Sequence, residues 1–253
     1  MRNIETLVLN PTAIKDAEDM MVCAARLTQR GHKIKCMQDF MDLYQSEHSE
    51  KTVKAMTGLP HPTIQKFAVI NVAVVGASRR FLAQITRHQN EVKFMSASLQ
   101  YSDYSGEADF VVPYELLDSQ MRVSYLSQCQ DAMRKYQLLV EYGVNNDSAG
   151  YLAPQGLRNI LIISATPYQW KHMISQRICR RNTPETRYVM LKIWEELYEL
   201  APDMFADAGC FCMEGACKEG KMGCGKPLAK GMTPAEIIAA DFPLLVEEDN
   251  ENG

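Results

Sequence analysis

Residues 84 to 105 read QITRHQNEVKFMSASLQYSDYS. The first half pairs an arginine with a histidine, and the second strings together serine, glutamine and tyrosine, residue types that bind ligands more readily than they fill a core. On a helix continued to residue 89, Arg80, Gln84 and Arg87 share one stripe while Phe81, Gln84, Ile85 and His88 share its neighbour. Gln84, Arg87 and His88 then leave one end of that helix together. A solvated cationic face is the plainer reading of the same spacing. A second arginine stands out in PYQWKHMISQRICRR, where Trp170, Met173, Ile174 and Arg177 fall at i, i+3, i+4 and i+7. A guanidinium on an apolar stripe is costly unless an anion or an acceptor meets it. A structural pair with one of the 31 carboxylates, or a stem that reaches out to water, satisfies it equally well.

Other familiar chemistry is absent. No serine sits in a nucleophile elbow, there is no HExxH or Walker loop, and no GxGxxG follows a strand. CFCMEGACKEGKMGCGKP places Cys210, Cys212, Cys217 and Cys224 among glycines and charges, which suits a tetrahedral zinc site or, less well, an iron-sulfur cluster. The spacing is not CxxC…CxxC, and reversible disulfides or plain reduced thiols remain open. The other four cysteines, Cys23, Cys36, Cys129 and Cys179, lie in helix-like apolar segments, where a thiol packs as a small hydrophobe.

The elements that position these residues follow from hydrophobic periodicity and turn chemistry. ETLVLN reads as a first strand. The stripe of Ile14, Ala17, Met21 and Ala24 or Ala25 gives a helix over 14–30 that ends at Gly31. A second helix is expected over 37–56, stopped by the prolines of GLPHPT. FAVINVAVVG is apolar on both alternations, which predicts a strand covered on both faces. Residues 78–89 read as a helix, DFVVP (109–113) as a strand, 115–142 as a long helix stopped by Gly143, and NILIISA (159–165) as a buried strand. Thr166-Pro167, Thr183-Pro184 and Thr233-Pro234-Ala235-Glu236 each start a helix with a cap and a proline at its first position. EEDNENG is expected to be a frayed acidic end. Strands and long helices alternate without a clean βαβ repeat, so the expected class is α+β around a small sheet.

The totals bound the partners. With 253 residues, 46% apolar and 23% charged, the chain is globular. A net charge of −4 argues against non-specific nucleic-acid binding. No apolar run approaches the roughly 20 residues of a membrane span, and MRNIETLVLNP lacks a signal-peptide core. A cytoplasmic protein is expected.

Taken in order, the motifs resemble those of the flavin-dependent thymidylate synthase family over roughly residues 10 to 205. They are Ala24-Ala25-Arg26, His61-Pro62-Thr63, Ser78-Arg79, and Gln84-Ile85-Thr86-Arg87-His88-Gln89 against Gln-x-x-Arg-His-Arg. Then come Ser98-Leu99-Gln100-Tyr101-Ser102 against Ser-x-Arg-Tyr-Ser, Pro154 before NILIISA, His172 and Arg177, and Glu185-Thr186-Arg187. The resemblance implies a small, twisted, mostly antiparallel sheet flanked by long helices, in a homotetramer whose active sites lie between subunits. It implies a methyltransferase that converts dUMP to dTMP with methylenetetrahydrofolate as carbon donor, FAD as hydride carrier and NADPH as reductant. Arg177 would stabilise the ionised uracil imide. Nucleotide contacts would fall on Gln84, Arg87, Ser96, Ser98, Gln100 and Tyr101, and flavin contacts on His61, Thr63, Arg87, His88, Gln89 and His172. The family core would occupy 1–205, followed by a cysteine-rich segment (206–230) and a short helix with an acidic tail (231–253).

The sequence also departs from that family. Gln89 stands where it has arginine, Met95-Ser96 where it has Asn-Glu, and Thr166-Pro167-Tyr168 where it has Asn-x-Arg. Gln100 and Gly150 replace two arginines that grip the nucleotide phosphate. Charged hydrogen bonds contribute about 1.5 to 3 kcal/mol each, so losing two weakens dUMP binding by about two to four orders of magnitude unless Arg158, Arg122 or Lys93 compensates. Two alternatives therefore accompany the main reading: a same-fold flavoenzyme that modifies another pyrimidine nucleotide, and a catalytically silent binding or assembly homologue.

Overall fold

The computed structural model describes residues 1–59, 61–104, 106 and 108–246. The acidic EEDNENG end lies outside the described residues. Four strands, β1 (Glu5–Val8), β2 (Ile70–Ser78), β3 (Val92–Ser96) and β4 (Arg158–Ala165), make one sheet in the order β1-β2-β4-β3. Every pairing in it is antiparallel.

The central strands are rich in β-branched residues, which suit a pleated surface packed on one side. Ile70, Val72 and Val74 of β2 and Leu161, Ile163 and Ala165 of β4 are buried against the helical layer. The other alternation is apolar too, but this chain leaves it open. Leu7, Val75, Met95, Ile160 and Ile162 are 61%, 43%, 73%, 49% and 41% exposed. The expectation of a strand covered on both faces is thus corrected: periodicity reports that a face is apolar, not which chain covers it.

Helices fill the covered side. α1 (Thr12–Arg30) buries Ile14, Ala17, Met21 and Ala25, close to the predicted stripe. The single helix expected over 37–56 is two, α2 (Met37–Tyr44) and α3 (Glu50–Thr57). Between them Arg26 of α1 donates to the carbonyls of Ser46 and Glu47 at 3.0 Å each, drawing those oxygens away from helical partners. α4 (Arg79–Ile85) follows β2, and α5 (Met121–Glu141) ends before Gly143, whose φ of 84° is left-handed. α6 (Asn146–Ala149) leads to the turn before β4.

α7 (Pro167–Arg177) starts where Thr166 Oγ1 accepts the Gln169 amide at 3.3 Å, and Trp170 Nε1 donates to Ile70 O at 3.1 Å, pinning the helix to β2. α8 (Pro184–Leu200) is the central helix, burying Val189, Met190, Ile193, Trp194 and Leu197. α9 (Pro202–Phe205), α10 (Phe211–Glu214), α11 (Pro234–Asp241) and α12 (Pro243–Val246) complete the chain. Thr233 and Glu236 form the expected capping box at α11. Met213, Leu228, Ile237, Phe242 and Leu245 of this last part belong to the same core as the sheet.

One other expectation is corrected, and one strand goes unpredicted. Residues 109–113 do not form a strand: Phe110 makes only an isolated bridge to Leu157, and Pro113, which has no N–H, turns the chain away. The strand at 92–96 lies within the serine-, glutamine- and tyrosine-bearing run, where periodicity gives no strand signal. Among the described residues, no helix is long and apolar enough to cross a membrane.

Candidate active site

α4 is shorter than the sequence predicts, ending at Ile85 rather than residue 89. Thr86 donates its hydroxyl to Leu82 O at 2.8 Å and the His88 amide bonds back to Ile85 O at 3.1 Å. Arg87 and His88 therefore leave in the turn after the helix. His88 is buried at 7% exposure, and Arg87 is exposed.

Arg177, the last residue of α7, meets this turn. Its Nε donates to His88 Nε2 at 2.7 Å, its Nη2 to Gln84 O at 2.9 Å, and its Nη1 to Asn182 Oδ1 at 3.4 Å. All three acceptors are neutral. Among the described residues no carboxylate pairs with Arg177, so its positive charge is held in place but not neutralised. Burial and the nearby Arg87 guanidinium both depress its pKa. Burial, then Arg177, then His172 push the His88 pKa down to about 4. His88 is thus a neutral imidazole that presents Nε2 as acceptor and carries its proton on Nδ1. The His172 ring stands edge-on to it, centroids 6.0 Å apart, and Gln176 Nε2 lies 3.0 Å from His172 Nε2.

Gln84 is also held. Its Oε1 accepts from Thr186 Oγ1 at 2.5 Å and Thr183 Oγ1 at 3.2 Å. Thr183, expected to cap α8, gives its hydroxyl to this bond and makes no side-chain cap. Glu185 and Arg187, by contrast, serve the frame. Glu185 accepts from Ser78 N and Ser78 Oγ at 2.6 Å each, and Arg187 pairs with Asp241 while donating to Ile178 O at 3.1 Å. Asn182 and Thr183 were missed as neighbours of Arg177 and Gln84; their only sequence signal is the Asn-Thr-Pro turn that starts α8.

The remaining predicted nucleotide residues lie elsewhere. Val92 at the start of β3 pairs with Ala165, next to α7, whereas Ser96 pairs with Leu161. At roughly 3.4 Å per residue, Ser98 is on the order of 20 Å along the sheet from Val92. Ser98 Oγ accepts the Gln100 amide at 3.1 Å, its carbonyl accepts the Ser102 amide at 2.9 Å, and Tyr101 is 83% exposed. A Cβ built on Gly150 would stand 3.2 Å from Leu99 Cβ. The two positions that lack an arginine, Gln100 and Gly150, are therefore neighbours through Leu99. Of the proposed substitutes, Arg158 is committed to Asp109 at 2.6 Å and to the carbonyls of Gly76 and Arg2 at 2.7 and 2.6 Å. Lys93 is exposed on β3, and Arg122 is half-buried on α5.

His61, Thr63 and Gln89 are exposed near the other end. A cleft of about 540 Å³ joins Pro62 and Gln65 to Tyr168, Lys171, His172 and Ser175. Among the described residues, no three His, Cys, Asp or Glu groups converge enough to hold a metal ion. The set of Cys210, Cys212, Cys217 and Cys224 is therefore not assembled: Cys210 is 3% exposed within the apolar core, while Cys224 is exposed on its loop.

Comparison with known proteins adds a separate line of evidence. The family model for thymidylate synthase complementing protein matches residues 8–203. A flavin-dependent thymidylate synthase of Geobacter sulfurreducens is 28% identical over 173 residues, covering 66% of this chain and 73% of that one. The enzyme of the same name from Thermococcus onnurineus is 26% identical over 189 residues, covering 70% and 77%. In structure the chain is similar to a UMP/dUMP methylase, PolB, from Streptomyces cacaoi bound with 5-Br dUMP. The TM-score is 0.62 at 15% identity, over 83% of this chain and 97% of that one. It is also similar to thymidylate synthase X of Helicobacter pylori with FAD and dUMP, with a TM-score of 0.58 at 15% identity over 79% and 98%.

Proposed function

From the premise that this chain belongs to the thymidylate synthase complementing protein family, the flavin-dependent thymidylate synthases, we propose that it methylates dUMP to dTMP. Methylenetetrahydrofolate is the carbon donor, FAD carries the hydride and NADPH reduces the flavin. The observation that carries this reading is the un-neutralised guanidinium of Arg177, fixed by His88, Gln84 O and Asn182. A group held this way is preorganised to meet negative charge that develops on a substrate.

In this reading Arg177 stabilises the ionised imide of the uracil, which makes ring carbon five electron-rich enough to attack the one-carbon unit. His88 keeps its lone pair on Arg177 and orients it. Arg87 supplies a second positive charge near the first, and Gln84, Ser96, Ser98, Gln100 and Tyr101 position the nucleotide. The residues fit a flavin: Thr63, Arg87 and Gln89 are exposed, Arg87 has no carboxylate partner among the described residues, and His172 lines a cleft beside His88. When bound, reduced FAD supplies the hydride that turns the transferred carbon into a methyl group.

The reading also makes the enzyme a homotetramer with sites shared between chains. Two observations support this. Ser98 lies on the order of 20 Å along the sheet from Val92, four residues after the His88 that Arg177 holds, and the uncovered sheet face is apolar, as an obligate interface is.

A second reading, a related pyrimidine nucleotide as substrate, is favoured by Gln100 and by Gly150 packed on Leu99, which leave no arginine at either phosphate position. Purified protein mixed with FAD, methylenetetrahydrofolate and NADPH should show bound-flavin absorbance, release tritium from dUMP labelled at carbon five, and form dTMP. Flavin uptake with release only from UMP or a modified deoxyuridylate selects the second reading. No flavin uptake at all defeats both.

A further inference from the structure

A cavity of about 930 Å³ lies beyond α7. Its lining carries six cations, Arg177, Arg180, Arg181, Lys218, Lys221 and Lys226, against one acid, Glu219. The chain as a whole has a net charge of −4, so this is a local concentration of the opposite sign. Like charges gathered in a concave site focus their field on a counter-ion. We propose that this cavity binds the phosphate groups of the dinucleotide reductant, a nicotinamide nucleotide with a pyrophosphate and a 2′-phosphate, on Arg181, Lys218, Lys221 and Lys226. The proposal rests on the flavin-dependent reading above and gives a role to a segment that reading leaves unused.

The six cations differ in how far they are already neutralised. Asp241 takes up Arg180, accepting from Nη2 at 2.7 Å and from Nε at 3.0 Å. Arg181 stands 3.6 Å from Glu219, with side chains 41% and 56% exposed. A solvated pair of that length contributes little, so a phosphate displaces Glu219 at small cost. Lys218 Nζ lies 3.8 Å from the centroid of the Phe211 ring, which holds the ammonium at the cavity wall without cancelling its charge. Lys221 and Lys226 are exposed, and among the described residues neither has a carboxylate partner.

The loop that carries the lysines is open to close approach. Gly220 and Gly225 take left-handed φ values of 52° and 71°, and a Cβ built on either would meet nothing within 4 Å. The backbone between the lysines is therefore bare, as suits a chain that runs against phosphate oxygens. Arg180 and Arg181 fasten this loop to the end of α7 by donating to Lys226 O at 2.7 Å and to Met222 O. Cys179, read from sequence as apolar packing, faces the same cavity. Ser175 and Phe211 line both this cavity and the cleft of about 540 Å³ proposed above for the flavin. A long ligand anchored by its phosphates at the loop can reach that cleft past the last turn of α7, whereas a free phosphate cannot. The lysines lie outside the residues 8–203 that match the family model, so the grip belongs to this chain's C-terminal segment.

Calorimetric titration of the full-length protein with 2′,5′-ADP, the phosphate-bearing half of that reductant without its redox ring, reads the site with or without flavin. Wild type should bind it about tenfold or more tightly than 5′-AMP, and added salt should erode the preference. K218A/K221A/K226A should abolish the preference. In flavin reduction followed by absorbance, the same variant should need about tenfold more NADPH for half-saturation, close to the NADH requirement. K230A removes a lysine of the same segment that lies outside this cavity, and it should change neither measurement. A wild type that binds 2′,5′-ADP no better than 5′-AMP overturns the proposal, and this comparison needs no variant to fold. So does a triple variant that keeps the preference, even where flavin uptake and dTMP formation uphold the flavin-dependent reading. Protein that takes up no flavin but keeps a lysine-dependent preference for 2′,5′-ADP retains the phosphate site and defeats only that reading.

Discussion

Acid should weaken this protein through His88. In the folded chain its pKa is lowered from 6.5 to about 4 by burial, by Arg177 and by His172. A base with a depressed folded pKa stabilises the fold fully above its unfolded pKa, and that stability is lost as pH falls from about 6.5 towards 4. The full shift is worth about 3 kcal/mol, of which about 2 kcal/mol disappears between pH 7 and pH 5. The mechanism is local. A protonated ring can no longer accept from Arg177 Nε, and a third positive charge joins Arg177 and Arg87 with no acid between them. Urea unfolding of the wild type and of H88Q from pH 7 to 5 tests this, because acid effects elsewhere are common to both. Wild type should lose about 2 kcal/mol more than the variant over that range. Parallel curves, or an imidazole that titrates near pH 6.5 by NMR, would refute the assignment of a neutral His88 accepting from Arg177.

Other variants separate chemistry from frame. R177K should keep the fold and bind FAD but lower the turnover of dUMP by about 100-fold or more, since a point-charge ammonium cannot reproduce the three-way hold; steady-state assays at saturating nucleotide check it. Glu185 is 8% exposed and its pKa is raised by burial. E185Q should therefore stay within about 1 kcal/mol of wild type in chemical denaturation, while E185A, which strands Ser78 N and Oγ, should cost about 2 to 4 kcal/mol. Q100R should tighten dUMP binding about tenfold if the phosphate lies there. G150R should not, until Leu99 is also cut to glycine, because a Cβ at 150 meets Leu99 Cβ at 3.2 Å; calorimetric titration with dUMP compares the three.

Sequence patterns located most elements because their causes are local. The three Thr-Pro helix starts and the end of α5 at Gly143 need only a cap, a proline at the first turn or a glycine at a left-handed φ. Where long-range partners decide, the same patterns failed. The α2–α3 break depends on Arg26, some twenty residues upstream, reaching the carbonyls of Ser46 and Glu47. The strand at β3 depends on β4 offering an edge. At the site, spacing singled out Arg177 and His88, but not that one accepts from the other, nor that α4 stops before either Arg87 or His88. Cys179 was read as packing since its helix register gives no hint of a loop arriving from residues 217–226.

The apolar outer face of the sheet and the proposed sharing of sites between chains have one physical explanation in common. Leu7, Val75, Ile160, Ile162 and Met95 form a continuous exposed surface on the outer side of the sheet. A monomer would solvate that surface at a hydrophobic cost of about 25 cal/mol for every Å² left in water. Bringing a second sheet face against the first removes the cost, and in the proposed assembly it would bring the Ser98 turn of one chain towards Arg177 of another. Assembly and activity should therefore fail together. I162E, which puts a charge in the middle of that face and touches neither half-site, is expected to yield a folded monomer by light scattering that binds nucleotide at least tenfold more weakly. A monomeric I162E with full dUMP turnover would show that one chain completes the site alone.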